Sequence, residues 1–426
     1  MSQTKPADTA RGPAGAEGGS APGPSRFLLV TGFAVLLLSY LANAMDRQVF
    51  FPLLPDIRAH YGFSLTEGGS LATSFTLGMA IAGLPAGYLL DRFSRKTVLV
   101  VSIAIYSLGT LLTPLSSGFT DMAAYRVLSG FGEGMQTAAL FAVIGTYFFH
   151  RRGLAFGGTA VVFGTGLILG PLVGVHLATV FNSWKAPFLL FGTSGLAIAV
   201  LAVFLVGRRL TERAGDPRVT TATFDHMPAS PYNRNSIALA VSSAVSGLVV
   251  YGFLGLYPTF LISHLHYTTA QAALAASCVG YGGMLALVAG WLGDRVNQRS
   301  LLIVTYLAVS ATSLLVYQTQ VTVGWQCLFA ATMGFFAVGS LYTNHNSAMQ
   351  RAVRPHQVGR ASGLFISSYY ISSAFSGLLF AALVNRFGWS QAGMWQVTLL
   401  PLVAVVALVF VQPARLLTAV RSAGAR

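Results

Sequence analysis

The sequence predicts an all-α membrane protein with about twelve transmembrane helices in two six-helix halves. Three observations carry this. Of 426 residues, 54% are hydrophobic and only 9% charged, with a mean hydropathy of +0.65, whereas soluble domains average about 25% charged residues. Apolar stretches of helix length recur from Phe27 to Val411. A short polar signature also appears twice, at matching positions in the two halves of the chain.

Crossing about 30 Å of hydrocarbon takes about 20 helical residues, and lipid forces backbone hydrogen bonds to close within each helix. Residues 1–26 are rich in Gly, Pro, Ala and Ser and lack an apolar signal-peptide core, so they read as a disordered cytoplasmic tail. The first half, 27–207, holds apolar blocks at 27–52, 68–90, 97–116, 121–148, 153–180 and 187–207. A polar stretch at 208–235, including Arg208, Glu212, Asp216 and Arg218, cannot span and reads as a cytoplasmic linker. The second half, 236–412, holds blocks at 236–262, 270–292, 300–318, 323–349, 360–385 and 391–412, followed by a tail at 413–426.

The formal net charge of +14 raises the question of nucleic acid. The basic residues instead cluster between apolar blocks, without a recognition helix or zinc-finger spacing, which argues against it. Placing both termini in the cytoplasm puts 21 of the 26 Lys and Arg residues on that side, as short-loop charge bias requires. Cys278 and Cys327 lie in apolar blocks without metal-ligand or redox spacing and read as buried small hydrophobes. No nucleophile and base pair, metal cluster or cofactor motif is visible, so the chain is expected not to be an enzyme and to need no cofactor beyond a coupling ion.

The repeat pairs Gly87-Tyr-Leu-Leu-Asp91-Arg92-Phe-Ser-Arg95-Lys96 with Gly290-Trp-Leu-Gly-Asp294-Arg295-Val-Asn-Gln-Arg299. A weaker echo pairs Gly153-Leu-Ala-Phe-Gly157 with Gly359-Arg-Ala-Ser-Gly363. The basic residues suit a loop held at the membrane surface, but topology alone does not account for Asp91. The fifth block carries Gly166, Gly170 and Gly174 at four-residue spacing beside Pro171, a smooth strip suited to helix packing. His176 nearby reads as structural.

Ionisable residues inside spans are functional candidates by default. The first block holds Asp46 and Arg47, with Tyr40, Asn43 and Arg47 on one stripe. The alternative is a pair reaching water just before Pro52, since residue 46 lies about 28 Å along a helix begun at Phe27. The fourth block holds Arg126, Glu133 and Gln136. Arg126 and Glu133, seven apart, share nearly one face, so a structural ion pair is the alternative to a proton-carrying Glu133. The second half offers Tyr251, Tyr257, Asn344, Ser367, Ser368, Tyr369 and Tyr370, and Tyr342, His345 and Asn346 at i, i+3, i+4. These can bond hydroxyls or carboxylates, and interhelical bonding accounts for any one of them equally well.

The Gly87–Lys96 segment resembles the signature loop of the major facilitator superfamily, and the resemblance extends over the chain after the tail. In that family the loop stabilises one face of an alternating-access cycle, which implies gating roles for Gly87, Asp91, Arg92, Arg95 and Lys96, for Asp294 and Arg295 in the repeat, and for Arg126. Asp46-Arg47 with Arg126-Val-Leu-Ser-Gly130-Phe-Gly-Glu133-Gly134 resembles the anion:cation symporter family. That resemblance implies uptake of a small organic anion coupled to protons or sodium, with Arg47 for the anion and Asp46 and Glu133 for coupling protons. Tyr40, Asn43, Gln136, Tyr342, His345, Asn346 and Tyr370 complete the expected substrate site. Spinster lipid transporters share the Asp-Arg and Gly-x-Gly-Glu arrangement, and the fifth block resembles a drug-antiporter motif in which Val175 replaces a final Gly. Proton-coupled export of drugs or amphipathic lipids is therefore the alternative. The expected setting is a bacterial inner membrane, with the lipid bilayer and a small-molecule substrate as partners and the chain a monomer.

Overall fold

The computed structural model describes residues 26–148, 151–212 and 227–417. Most of the expected tails, and 213–226 of the expected linker, lie outside them. The first half comprises α1 (Arg26–Tyr61), α2 (Leu65–Arg92), α3 (Arg95–Leu112), α4 (Phe119–Tyr147), α5 (Arg152–Val180) and α6 (Lys185–Leu205). A short turn of helix, Arg208–Glu212, follows. The second half comprises α7 (Arg234–Ser263), α8 in two pieces (Thr269–Met284 and Ala286–Arg295) and α9 (Gln298–Gln318). Then come α10 (Val323–Met333, a π-helical stretch Gly334–Leu341, and Tyr342–Arg351), α11 (Val358–Phe387) and α12, which runs from Trp389 to Val409 through a second π-helical stretch.

Eleven of the described helices are long and apolar enough to cross a membrane. Helix α1 makes the twelfth element. Its apolar run is followed by Asp46, Arg47, Asp56 and Arg58 within one 36-residue helix. It ends nine residues later than the apolar pattern suggests and passes through Pro52 and Pro55. Each proline forfeits a backbone hydrogen bond. The extra turns are held because Phe50, Leu53 and Ile57 bury against Met122, Trp184 and Phe188 in a separate core at that end.

Polar caps set where helices begin, and they repeat between halves as the signature does. Ser64 and Glu67 form a capping box at α2, as Thr268 and Gln271 do at α8, satisfying orphan N–H groups of the first turn. Ser94 caps α3 and Asn297 caps α9.

Within the first half α2 packs on α4, and α1 on α5 and α6; in the second, α7 packs on α11 and α12. The α5 glycine strip faces α1, with Gly166 against Ala44, Gly170 against Met45 and Gly174 against Val49. Its local role is close helix packing. The halves meet chiefly through α2 on α11 and α5 on the second piece of α8. Those contacts lie toward the face where α1 begins and α12 ends, called here the terminal face. At the opposite ends, α1 and α7 form no comparable packed interface among the described residues.

Candidate functional site

Arg47 sits at the junction of the halves and is 5% exposed. Its Nε donates to Glu133 Oε2 of α4 at 3.1 Å and its Nη1 to Tyr370 Oη of α11 at 3.0 Å. Its Nη2 donates to Asn43 Oδ1 at 3.2 Å. One guanidinium thus ties two helices of the first half to one of the second. A relay holds it: Asn43 Nδ2 donates to Gln136 Oε1 at 2.8 Å, and Gln136 Nε2 to Ser39 Oγ at 3.0 Å. The ring centroids of Phe163, Tyr370 and Phe75 lie 5.0, 5.5 and 5.8 Å from its Cζ, a cation–π surround that holds the charge in an otherwise apolar space. Tyr40, Tyr251, Tyr342 and Tyr369 close the aromatic wall.

Asp46 and Glu133 are buried, at 1% and 0% exposure. Asp46 Oδ2 accepts from Thr110 Oγ1 at 2.6 Å and Ser129 Oγ at 3.2 Å. The remaining oxygens, Asp46 Oδ1 and Glu133 Oε1, receive no hydrogen bond from a donor group among the described residues. The two carboxyl groups are electrostatic neighbours in this cluster. Two ionised carboxylates are acceptors only, so the pair can bond to each other only with a proton between them. Arg126 lies about 10 Å along α4 from Glu133, buried between the rings of Phe50 and Phe75 at 4.3 and 4.4 Å from their centroids.

Below this cluster, toward the terminal face, the two repeated segments cross-pair. The end of α2 meets the start of α11, where Asp91 Oδ2 lies 2.6 Å from Arg360 Nε. The end of α8 meets the start of α5, where Asp294 Oδ1 and Oδ2 accept from the N–H groups of Gly153 and Leu154 at 2.9 and 3.0 Å. A carboxylate on a helix N-terminus is favoured both by the free N–H groups and by the helix dipole. Asp294 is also held by Arg351 Nη2 at 2.6 Å. Ser367 Oγ donates to the Ala80 carbonyl at 2.7 Å and accepts from Leu84 N–H at 3.0 Å, stitching α11 to α2. Gly153 and Gly290 pass so closely that a Cβ on either would overlap the other's carbonyl oxygen. Gly290→Val is therefore expected to part the halves here. Overpacking costs about 1–3 kcal/mol, which shifts the closed-to-open ratio about 5- to 150-fold. Spin-label distances between the end of α2 and the start of α11 would lengthen; an unchanged distribution would show that this contact does not hold the face shut.

Several expected site residues stand elsewhere. His345 does not face the substrate site: its Nδ1 meets the Leu341 carbonyl at 3.0 Å and its Nε2 meets Ser242 Oγ at 2.9 Å and Tyr306 Oη at 3.3 Å. An i, i+3 step turns it about 60° from Tyr342, into its own half. Arg126, expected at the gate, belongs to the central cluster. Glu133 pairs with Arg47 instead of Arg126. Of the signature's basic residues, Arg92 lies over Tyr88 and Arg295 over Trp291 of their own helices. Arg95 donates to Thr146 Oγ1 at 2.7 Å and Lys96 to the Val203 carbonyl at 2.6 Å. All four bind within one half, leaving the crossing to Asp91, Asp294 and their glycines. Cys278 and Cys327 are half-buried, because the α8 and α10 faces that carry them are not fully covered by other helices. His176 is exposed.

Sequence patterns do not single out Thr110, Ser129, Ser39, Phe75 or Phe163. Thr110 and Ser129 are each one of several hydroxyls in their spans, with Ser102 and Ser107 on α3 and Thr137 and Thr146 on α4, so spacing does not mark them out.

The sequence profile of the Major Facilitator Superfamily matches residues 36–377 and 239–425. The chain is 25% identical to a hexuronate transporter of Bacillus subtilis, over 77% of this chain and 81% of that protein. It is 26% identical to the 4-hydroxybenzoate transporter PcaK of Pseudomonas aeruginosa, over 89% of this chain and 92% of that one. Protein spinster of Drosophila melanogaster is 25% identical over 64% of this chain, a match that spans 45% of the fly protein.

Proposed function

The chain belongs to the major facilitator superfamily, and from that premise we propose that it is a proton-coupled symporter of a small organic anion working by alternating access. The observation that carries this reading is Arg47, a buried guanidinium bonded to Glu133 in one half and Tyr370 in the other. An anion that takes over those donors would connect or release the halves as it binds. The charge balance favours coupling. Two guanidiniums, Arg47 and Arg126, and two carboxyls holding one shared proton sum to one positive charge, matched by a monocarboxylate; without the proton they sum to zero. Proton binding thus favours anion binding, and by reciprocity the anion favours the proton. One proton carried with one monoanion moves no net charge, while each further proton adds about 2.3 kcal/mol per 100 mV of membrane potential.

The proposed setting is a bacterial inner membrane with the terminal face toward the cytoplasm, an orientation that the basic loops support. The sealed seam then closes the cytoplasmic side while the opposite ends are the route of entry. The aromatic wall around Arg47 suits a carboxylate on a flat apolar body better than a polyhydroxylated acid, which makes 4-hydroxybenzoate the first compound to try. The relative that carries hexuronate makes glucuronate the second. The same aromatic wall and the likeness to spinster favour a second reading, export of an amphipathic molecule.

Proteoliposomes with an internal pH dye separate these. External 4-hydroxybenzoate or glucuronate is expected to acidify the interior. No acidification with any carboxylate, but alkalinisation of an acidic interior on adding a lysolipid or cationic drug, would replace symport with export.

A further inference from the structure

The last piece of α10 sorts its polar residues by direction. Taking Tyr342 as zero, Asn346 lies at about 40°, Gln350 at about 80°, Thr343 at about 100°, Ser347 at about 140° and Asn344 at about 200°. Tyr342 meets the ring of Phe141 on α4, and Gln350 Nε2 donates to the Phe141 carbonyl at 2.9 Å. Asn344 faces α8, donating to the Ala289 carbonyl at 3.2 Å. The sector between them, which holds Asn346, Thr343 and Ser347, therefore faces α4 and α5 across the seam, and both helices contact this piece.

Inside its own half this piece bonds most of its polar atoms, as the amide nitrogen of Asn344 and both nitrogens of His345 show, with Asn344 Oδ1 the exception. On the seam the balance reverses, and Gln350 Nε2 is the atom that bonds. Both polar atoms of Asn346, the hydroxyls of Thr343 and Ser347, and Gln350 Oε1 have no hydrogen-bond partner among the described residues, and these side chains are at most 1% exposed. Burying such atoms unbonded is unfavourable, and native proteins keep few of them without a reason. The π-helical stretch Gly334–Leu341 lies directly before them, a feature that often marks functional positions in helices. The strip continues from Tyr342, whose Oη is 3.5 Å from Tyr370 Oη beside Arg47, toward the terminal face.

We infer that Thr343, Asn346, Ser347 and Gln350 form a second cargo subsite, used when the halves part at the terminal face, whose ligand is the carboxylate or hydroxyl of the transported organic anion. This rests on the anion-transport reading above. The chemistry of the strip suits release. A charge-assisted bond to Arg47 is about twice as strong as a neutral one, so neutral amides and hydroxyls accept the anion from Arg47 and pass it on to water without holding it. When the seam shuts again, the same atoms lose their partners, which favours reopening on the next arrival.

The test uses the full chain in oriented proteoliposomes with radiolabelled 4-hydroxybenzoate and glucuronate supplied to one face at a time. Asn346→Leu is expected to leave half-saturation from the non-terminal face within about twofold and to raise it from the terminal face about tenfold. Equal effects from both faces would put Asn346 in the central site, and no effect from either would make the strip ordinary interior; both outcomes overturn the subsite. A cargo-free measurement accompanies it. Asn346→Cys, with Cys278→Ser and Cys327→Ser, should react with an impermeant maleimide from the terminal face faster once Gly290→Val is added, and unchanged labelling would also overturn the proposal. If Arg47→Ala transports at full rate, the anion reading fails, yet the maleimide result still decides whether the strip lines the opened seam.

Discussion

Arg47→Ala is expected to lower uptake of an organic anion about 100-fold or more, with far less effect on the amount of folded protein in the membrane than on flux. Removing one member of a buried ion pair typically costs about 3–5 kcal/mol, and each 1.4 kcal/mol is tenfold in affinity. Here the loss falls on function because three bonds from one guanidinium, to Glu133, Tyr370 and Asn43, converge where the halves meet. Arg47→Lys sharpens the point. Lysine keeps the charge but is a compact ammonium that cannot reproduce the planar fork, so it cannot meet Glu133, Tyr370 and Asn43 together. We expect the Arg47→Lys variant to recover less than about a tenth of the lost rate. Full recovery would mean that charge alone matters and that the bridge between halves is incidental. The measurement is initial uptake at subsaturating 4-hydroxybenzoate, normalised to protein detected in the membrane.

Much of the architecture was legible because lipid leaves the backbone few choices. Apolar blocks near the required length marked the spans, and the linker and repeat divided them into halves. The repeat held more than its position indicated: the two echoes are each other's partners, since the end of α2 meets the start of α11 and the end of α8 meets the start of α5. Asp91 was legible because an acid among topogenic bases has little reason to be there. Direction was the part that stayed hidden. Helical spacing put Arg126 and Glu133 on one face, yet it is α1 that supplies the partner of Glu133, because pairing depends on how helices rotate against one another. Spacing also grouped His345 with Tyr342 and Asn346, and a 60° step was enough to turn His345 into its own half. Phe75 and Phe163 beside Arg47 could not be told from Phe51, which is 51% exposed on the outside of α1. In a membrane protein an outward phenylalanine and a cavity phenylalanine look alike in sequence, since both surroundings are apolar.

Glu133→Gln is expected to abolish accumulation driven by a pH gradient while leaving exchange of cargo intact. The carboxamide can accept from Arg47 Nε through its oxygen and donate to Asp46 through its nitrogen. It reproduces the hydrogen bonds of the shared-proton cluster without an exchangeable proton. The charge also stays at that state's value, since Asp46 alone then balances Arg47 and Arg126 to leave one positive charge. The variant should therefore bind the anion with half-saturation within about threefold of the parent, and that value should no longer vary with pH. A one-proton symporter gains about tenfold accumulation for each pH unit across the membrane; the Glu133→Gln variant should gain about none. Asp46→Asn tests whether the proton belongs to the pair. The new carboxamide can still accept from Thr110 and Ser129 while its nitrogen donates to Glu133, so a shared proton predicts the same loss of accumulation with exchange retained. If Glu133→Gln uncouples and Asp46→Asn does not, the proton resides on Glu133 alone. Continued accumulation by the Glu133→Gln variant under an imposed pH gradient would remove the carboxyl pair from the coupling step altogether.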